Sequence, residues 1–261
     1  MRIALVSLLQ AWENKEENFR SCRDFVQKAK AFGSELVVFP EMTLTAFSMN
    51  TTETAEDSST SKTVVLFSAL AREFKVSIVF GVVMRHGDKC TNNAMLVDAG
   101  GSVLGSYCKI HPFSLSGEDR FFAGGDEICI IRQECCTIGM TICYDLRFPE
   151  LYSALGKECD LILNIANWPT RRIDHWDVLL RARAIENQLF MIGVNRTGTD
   201  SNGLEYVHSS MVVEPNGVTL QPVIAEPQID IYDIDLSSRH QFRQSFSTTQ
   251  DRKVSLYKKI L

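Results

Sequence analysis

Apolar runs too short to be helices recur along the whole chain, and they limit it to a sheet-rich fold. In the first half Ile3–Leu9, Leu36–Phe39, Ser77–Met84, Asn93–Asp98 and Ser102–Cys108 read as strands. Ile128–Ile131, Thr137–Ile142, Leu161–Ile165 and Phe190–Asn195 do so in the second half. A terminal β pair, Ser210–Glu214 and Val218–Val223, turns at Pro215-Asn216-Gly217, and Ile229–Ile234 adds a last strand. Helical periods are few. Glu16–Ala31 puts Phe19, Cys22, Phe25, Val26 and Ala29 on one face and is closed by Gly33. Val64–Phe74, Glu150–Leu155 and Ile173–Asn187 complete the helical set, and Asn50–Ser61 reads as a polar loop. Many strands interleaved with few helices predict an α/β (α+β) chain in which two β-sheets pack face to face with helices on the outer faces. No shift in composition divides residues 1–261, so one domain is expected.

Three strand ends carry the residues on which chemistry can turn. The approach Ile138, Thr141, Ile142 delivers Cys143 to the end of a strand, where Tyr144-Asp145-Leu146-Arg147-Phe148 forms a polar turn and Pro149 opens a helix. A strand-to-turn-to-helix passage can hold a nucleophile exposed, with backbone N–H groups facing the reacting atom. An isolated cysteine is more often a buried structural residue. The second strand end is Glu41, which closes the wholly apolar run Leu36–Phe39 after Pro40; an unpaired carboxylate is costly there, and low-dielectric walls suit it to general-base work. Lys109 closes the third, with Glu118 nine residues on; each alone reads as a solvated surface charge. Their agreement on one topological address is what gives them weight, because ligands of sheets with parallel strands bind at the strands' C-terminal ends.

Taken in order, Phe39-Pro40-Glu41, Lys109 and the run Cys143-Tyr144-Asp145-Leu146-Arg147-Phe148-Pro149-Glu150 resemble the nitrilase superfamily of carbon–nitrogen hydrolases, and the resemblance extends from Ile3 to about Asp235. Leu163–Pro169 and Arg181–Asn187 also look like that family. The short Lys109-to-Glu118 interval, Asn167-Trp168-Pro169, and Asn195–Asp200 with Gly203 beyond are most similar to its omega-amidase branch, which hydrolyses ω-amides of 2-oxo acids. The resemblance implies a four-layer αββα sandwich, a homodimer or larger assembly, a small amide substrate and no cofactor. It implies Cys143 as nucleophile, Glu41 as base, Lys109 and the backbone N–H of Tyr144 as oxyanion donors, and Glu118 as the carboxylate that orients Lys109 and the substrate amide. Trp168 is expected to line the pocket, and Arg147, Arg171 and Arg172 to receive a substrate carboxylate, since a guanidinium holds one in a bidentate fork. Phe113, Phe121 and Phe122 read equally well as pocket or core. The apolar side of Glu150–Leu155 (Leu151, Tyr152, Leu155) is the expected dimer contact.

Three alternatives share the reactive cysteine: an N-carbamoyl amine or amino acid hydrolase, a nitrilase and a papain-like Cys–His hydrolase. Relatives acting on N-carbamoyl compounds can carry two adjacent arginines after the nucleophile, whereas here Leu146 precedes a single Arg147; the triad itself does not separate nitriles from amides. A papain-like Cys–His hydrolase needs a histidine base, and neither His175 nor His208 stands in such a context. Composition removes other classes. A net charge of −5 with no basic patch argues against nucleic acid, and no run approaches the length of a membrane span. The eight cysteines and five histidines show no Cys-x-x-Cys or zinc-finger spacing, so no metal is expected. With a strand pattern beginning at Met1-Arg2-Ile3, a cytoplasmic location is the expectation.

Overall fold

Two sheets account for most of the backbone. The computed structural model describes residues 1–260; Leu261, the end of the expected domain, lies outside the described residues. In the first sheet the strand order is Ile224–Glu226, Ile229–Asp233, Arg2–Val6, Leu36–Val38, Ser77–His86, Lys89–Val97, Val103–Cys108. Arg2–Val6, Leu36–Val38 and Ser77–His86 run parallel at its centre, and the flanking strands are antiparallel. The second sheet repeats the plan with Met211–Val213, Phe190–Asn195, Leu161–Ala166, Thr137–Ile142 and Cys129–Arg132, the middle three parallel and the two edges antiparallel.

Strict alternation in the central strands explains why the sheets stack. Ile3 and Leu5, Leu36 and Val38 point into a core shared with Ile138, Met140, Leu161, Leu163 and Ile165 of the other sheet. Their neighbours Ala4, Val6, Val37 and Phe39 point the other way, onto Cys22, Val26, Phe67 and Leu70 of the helices Lys15–Ala31 and Lys62–Phe74. A strand that is apolar at every position is therefore one buried on both faces. The helices Pro149–Leu155 and Ile173–Asn187 cover the second sheet through Leu151, Tyr152, Leu155, Trp176 and Leu180. The result is the expected αββα order of four layers.

Several expectations are corrected in detail. Strand Arg2–Val6 stops short of Leu9 because the chain leaves the ladder to place Gln10, whose Nε2 donates to the carbonyls of Glu41 (3.0 Å), Met42 (3.0 Å) and Thr43 (3.2 Å). The polar loop Asn50–Ser61 contains a short helix, Thr51–Thr54, and a two-residue strand, Glu56–Asp57, parallel to Met84 and Arg85. The expected strand Val218–Val223 survives only as a bridge between Val213 and Thr219. Pro222 has no N–H for a ladder, and by Val223 the chain has joined the first sheet, its N–H donating to the Ile231 carbonyl. The apolar side of helix Pro149–Leu155 is consumed within the chain: Leu151, Tyr152 and Leu155 are buried, and Tyr152 Oη lies 2.8 Å from Thr141 Oγ1. Those three side chains therefore pack against their own chain.

Candidate active site

The parallel strands of both sheets release their loops at the same edge, and there the sequence-selected residues meet. Phe39 and Pro40 carry the chain from Leu36–Val38 to Glu41. Lys109 follows Val103–Cys108 directly, and Cys143 follows Thr137–Ile142 directly. Both sheets bend backbone to do this, since Met42 (φ 46°) and Cys143 (φ 46°) sit in the left-handed region without being glycine. Such positions cost on the order of 1–3 kcal/mol and persist where the surroundings fix them. Gly81 fixes the first: a Cβ there would lie 2.3 Å from the Met42 nitrogen, so only glycine lets the Glu41–Met42 loop rest on strand Ser77–His86.

Glu41, Lys109 and Glu118 form one buried cluster, each at most 1% exposed. Lys109 Nζ donates to Glu41 Oε1 (2.9 Å) and to both oxygens of Glu118 (3.0 and 2.8 Å). Burial alone would pull the ammonium toward neutrality, but the carboxylates of Glu118 and then Glu41 outweigh it and hold the lysine above its ordinary value. Further donors reach both carboxylates. Asn92 Nδ2 donates to Glu41 Oε1 (2.7 Å) and Glu118 Oε1 (3.1 Å), the Asn167 N–H to Glu41 Oε2 (2.9 Å), and the Phe113 N–H to Glu118 Oε2 (2.5 Å). Ions removed from water persist only with this degree of satisfaction.

Cys143 faces the cluster from the second sheet. Burial, followed by the charge of Glu41, pushes its thiol well above the usual range, while Lys109 pulls the other way. The thiol is thus protonated at neutral pH and needs a base to act as a nucleophile. Cys143–Arg147 winds as a short 3₁₀ turn, whose first N–H groups have no acceptor within the turn.

Asp145 holds that turn, and sequence reasoning missed it. Its fully buried carboxylate accepts from the Ile142 N–H (3.0 Å), the Tyr107 hydroxyl (2.8 Å) and the His111 N–H (3.0 Å), and lies 2.8 Å from His111 Nδ1. Tyr107 and His111 flank Lys109, so one carboxylate ties the lysine's loop to the cysteine's turn. The His111 ring also stacks on Phe148, centroids 3.7 Å apart. Asn92 was missed as well. Its signal was the pair Asn92-Asn93 directly before the apolar run Ala94–Val97, a placement with poor β propensity.

A cleft enclosing about 570 Å³, its open mouth included, leads to Cys143. That is room for a small molecule. Arg147, Trp168, Arg171 and Arg172 line it, and so do Phe47, Phe113, Tyr144, Asn167 and Tyr206. Phe113 therefore belongs to the pocket, Phe122 to a small core with Met42, Val83 and Cys90, and Phe121 to the surface. The Arg147 guanidinium lies 4.8 Å from the Trp168 ring centre and that of Arg172 5.3 Å from the Phe113 ring, while Arg171 is exposed. Among the described residues, ion pairs engage Arg2, Arg23, Arg132, Arg181, Arg183 and Arg239, and none of these three. Burial and then the neighbouring charge of Arg171 lower the proton affinity of Arg172. The described residues lining the cleft include no histidine; His175 is exposed beside Arg147 and His208 pairs with Asp230. That leaves the Cys–His alternative without a base.

Residues 2–244 match the family model for carbon-nitrogen hydrolases. The chain is 32% identical over 254 residues to omega-amidase YafV of Escherichia coli strain K12, covering 96% of each protein. It is 34% identical over 237 residues to 2-oxoglutaramate amidase of Paenarthrobacter nicotinovorans, covering 86% of this chain and 80% of that one. Among solved structures, XC1258 of Xanthomonas campestris, a CN-hydrolase superfamily protein, superposes with a TM-score of 0.90 at 29% identity, covering 97% of both chains.

Proposed function

Because this chain belongs to the carbon–nitrogen hydrolase family, an enzyme family of amide hydrolases, we propose that it is an omega-amidase that works through a cysteine thioester. Glu41 takes the proton of the Cys143 thiol as the sulfur attacks the amide carbonyl. The Lys109 ammonium and the Tyr144 N–H face the oxygen that gains charge, in a site where fixed donors count for more than in water. Collapse breaks the C–N bond, Glu41 returns the proton to the nitrogen, and ammonia leaves. A water deprotonated by Glu41 then hydrolyses the thioester and restores the thiol. Glu118 keeps Lys109 charged and aimed. The raised proton affinity of Cys143 supports this assignment of a base, and the buried cluster supports a lysine that stays an ammonium throughout.

One observation carries the substrate class: three arginines border the cleft, two of them against aromatic faces, and none has a carboxylate of its own. A small ω-amide that bears a carboxylate, such as 2-oxoglutaramate or 2-oxosuccinamate, would supply it. The test is ammonia release from a panel of 2-oxo acid amides, simple aliphatic amides, N-carbamoyl compounds and nitriles. The 2-oxo acid amides are expected to be fastest; faster N-carbamoyl compounds or nitriles would overturn the substrate class and leave the Glu41–Lys109–Cys143 chemistry standing.

A homodimer in the cytoplasm completes the reading. Its support is the exposed apolar set Val178 (61%), Ile185 (50%) and Val218 (54%) on helix Ile173–Asn187 and the adjoining turn. Light scattering at micromolar concentration that returned a monomer mass would refute the assembly. Eight free cysteines support a reducing compartment, and among the described residues no helix is long and apolar enough to cross a membrane.

A further inference from the structure

The active site uses one of the eight cysteines; two others stand side by side at a hairpin tip. Strands Cys129–Arg132 and Thr137–Ile142 are joined through Gln133–Cys136, closed by the Gln133 N–H donating to the Cys136 carbonyl (3.0 Å). Adjacent side chains of an extended strand point to opposite faces. At this tip they converge instead, with the Sγ atoms of Cys135 and Cys136 3.7 Å apart. Cys135 is exposed, whereas Cys136 is 5% exposed and anchored in the core between the sheets.

Two thiols so placed could close on each other or on a third atom, and geometry separates the options. A disulfide wants its Cα atoms about 4.4–6.8 Å apart. Consecutive residues across a trans peptide hold theirs at about 3.8 Å, and the described residues include no cis peptide. A thiophilic atom between the sulfurs is the better fit: two bonds of about 2.3 Å at a tetrahedral angle span roughly 3.8 Å, close to the observed separation. A metal ion held by protein alone needs three or four ligands, and the described residues contain no group of three or more His, Cys, Asp or Glu side chains placed to hold one. A monosubstituted trivalent arsenic centre needs only two sulfurs, its third bond being to carbon.

We propose that Cys135 and Cys136 form a bidentate dithiol site for trivalent organoarsenicals, separate from the catalytic cysteine. With phenylarsine oxide the reaction is a condensation. Two S–H bonds and the arsenic–oxygen bonds break, two As–S bonds form, one water leaves with both thiol protons, and no oxidant is consumed. Burial and then the neighbouring Cys135 push the Cys136 thiol up to about 12, so the core-anchored sulfur enters as a protonated thiol at neutral pH, the form this condensation uses.

The test is intact-mass measurement of the full chain after stoichiometric phenylarsine oxide. The expected product is one phenylarsine adduct with loss of two hydrogens. It should survive excess 2-mercaptoethanol, be removed by 2,3-dimercaptopropanol, and persist in Cys143→Ser. Retention against the monothiol should fall at least tenfold in Cys135→Ser, a substitution at an exposed turn position that should leave ammonia release unchanged. Cys136→Ser should behave alike where it folds, and Cys135→Ser decides the matter alone where it does not. An adduct that resists monothiol in Cys135→Ser, that disappears in Cys143→Ser, or that never forms on the wild-type chain overturns the proposal.

Discussion

The floor and the mouth of the cleft treat charge in opposite ways. On the floor, Lys109 and two glutamates are sealed from water, and each carboxylate also accepts from Asn92 and from a backbone N–H. At the mouth, Arg147 and Arg172 lie against aromatic rings and Arg171 is exposed, and none of the three is paired with an anion among the described residues. The floor is electrostatically finished before any ligand arrives; the mouth is not. A finished buried cluster is rigid and serves chemistry, whereas an unfinished cationic rim serves recognition. Substitutions should therefore separate: floor changes should strike kcat and stability together, and mouth changes should strike KM alone.

The largest effect belongs to the sulfur above the floor. Cys143→Ala is expected to abolish ammonia release while circular dichroism and the melting temperature stay near wild type, and Cys143→Ser to leave at most a trace. Substantial turnover in the alanine variant would end the thioester mechanism. Next come the floor residues. Glu41→Gln should lower kcat by roughly 10²–10⁴-fold as the base is lost. Lys109→Ala should lower it by on the order of 10²–10³-fold. The two should differ in stability, which sharpens the comparison. Removing Lys109 leaves two carboxylates buried together, and breaking a buried pair costs about 3–5 kcal/mol. Glu41→Gln keeps an amide where the carboxylate was and leaves Lys109 paired with Glu118. Chemical denaturation that ranked the glutamine variant as the less stable would contradict this account of the floor.

The floor was more legible in the sequence than the mouth, for a physical reason. Glu41 and Cys143 each follow an apolar strand, and a charge or thiol in that position stands out against its neighbours, whereas Lys109 follows the mixed, largely exposed strand Val103–Cys108 and gained weight only by agreeing with them on one address. The fold was legible through the same contrast, because strands such as Leu36–Val38 are apolar throughout when both faces are buried. What the pattern hid was polarity inside strands and turns. Asn92 and Asp145 look like surface residues by composition and are buried because their partners, 26 to 51 residues away for Asn92 and 34 to 38 for the cross-loop bonds of Asp145, come from other loops. The strand expected at Val218–Val223 failed because apolar content says nothing of which sheet a segment joins. Arginines at the mouth carry a weaker signature, their nearness in sequence to the Cys143 turn and the Trp168 loop, and it is the fold that brings Arg147 to the same cleft as Arg171 and Arg172.

At the mouth, Arg172→Ala is expected to raise KM for 2-oxoglutaramate by about 10–100-fold, the worth of a charge-assisted hydrogen bond, with kcat within a few-fold of wild type. Simple aliphatic amides should be unaffected, since they have no carboxylate to lose a partner. If KM for both substrates rose together, Arg172 would be shaping the cleft through its contact with Phe113 rather than reading charge.

The smallest expected effect lies between the two regions, at Asp145. Its carboxylate accepts from the Cys143 side through Ile142 and from the Lys109 side through Tyr107 and His111, yet it does not line the cleft. In Asp145→Asn the shape is kept but one oxygen becomes an NH₂, so at least one of these donors must face another donor. Leaving a buried donor unsatisfied costs about 1–3 kcal/mol, which should appear as a lower denaturation midpoint. Because the group acts by placing Cys143 against Lys109, kcat should fall by roughly tenfold while KM for 2-oxoglutaramate stays put, since misplacement of reacting groups is felt in the chemical step. Asp145→Glu keeps the charge but lengthens the arm, and it should be no better than asparagine if position is what matters. Full activity in Asp145→Asn would show that floor and turn are held in register without this carboxylate. A rise in KM matching that of Arg172→Ala would instead place Asp145 among the determinants of the mouth.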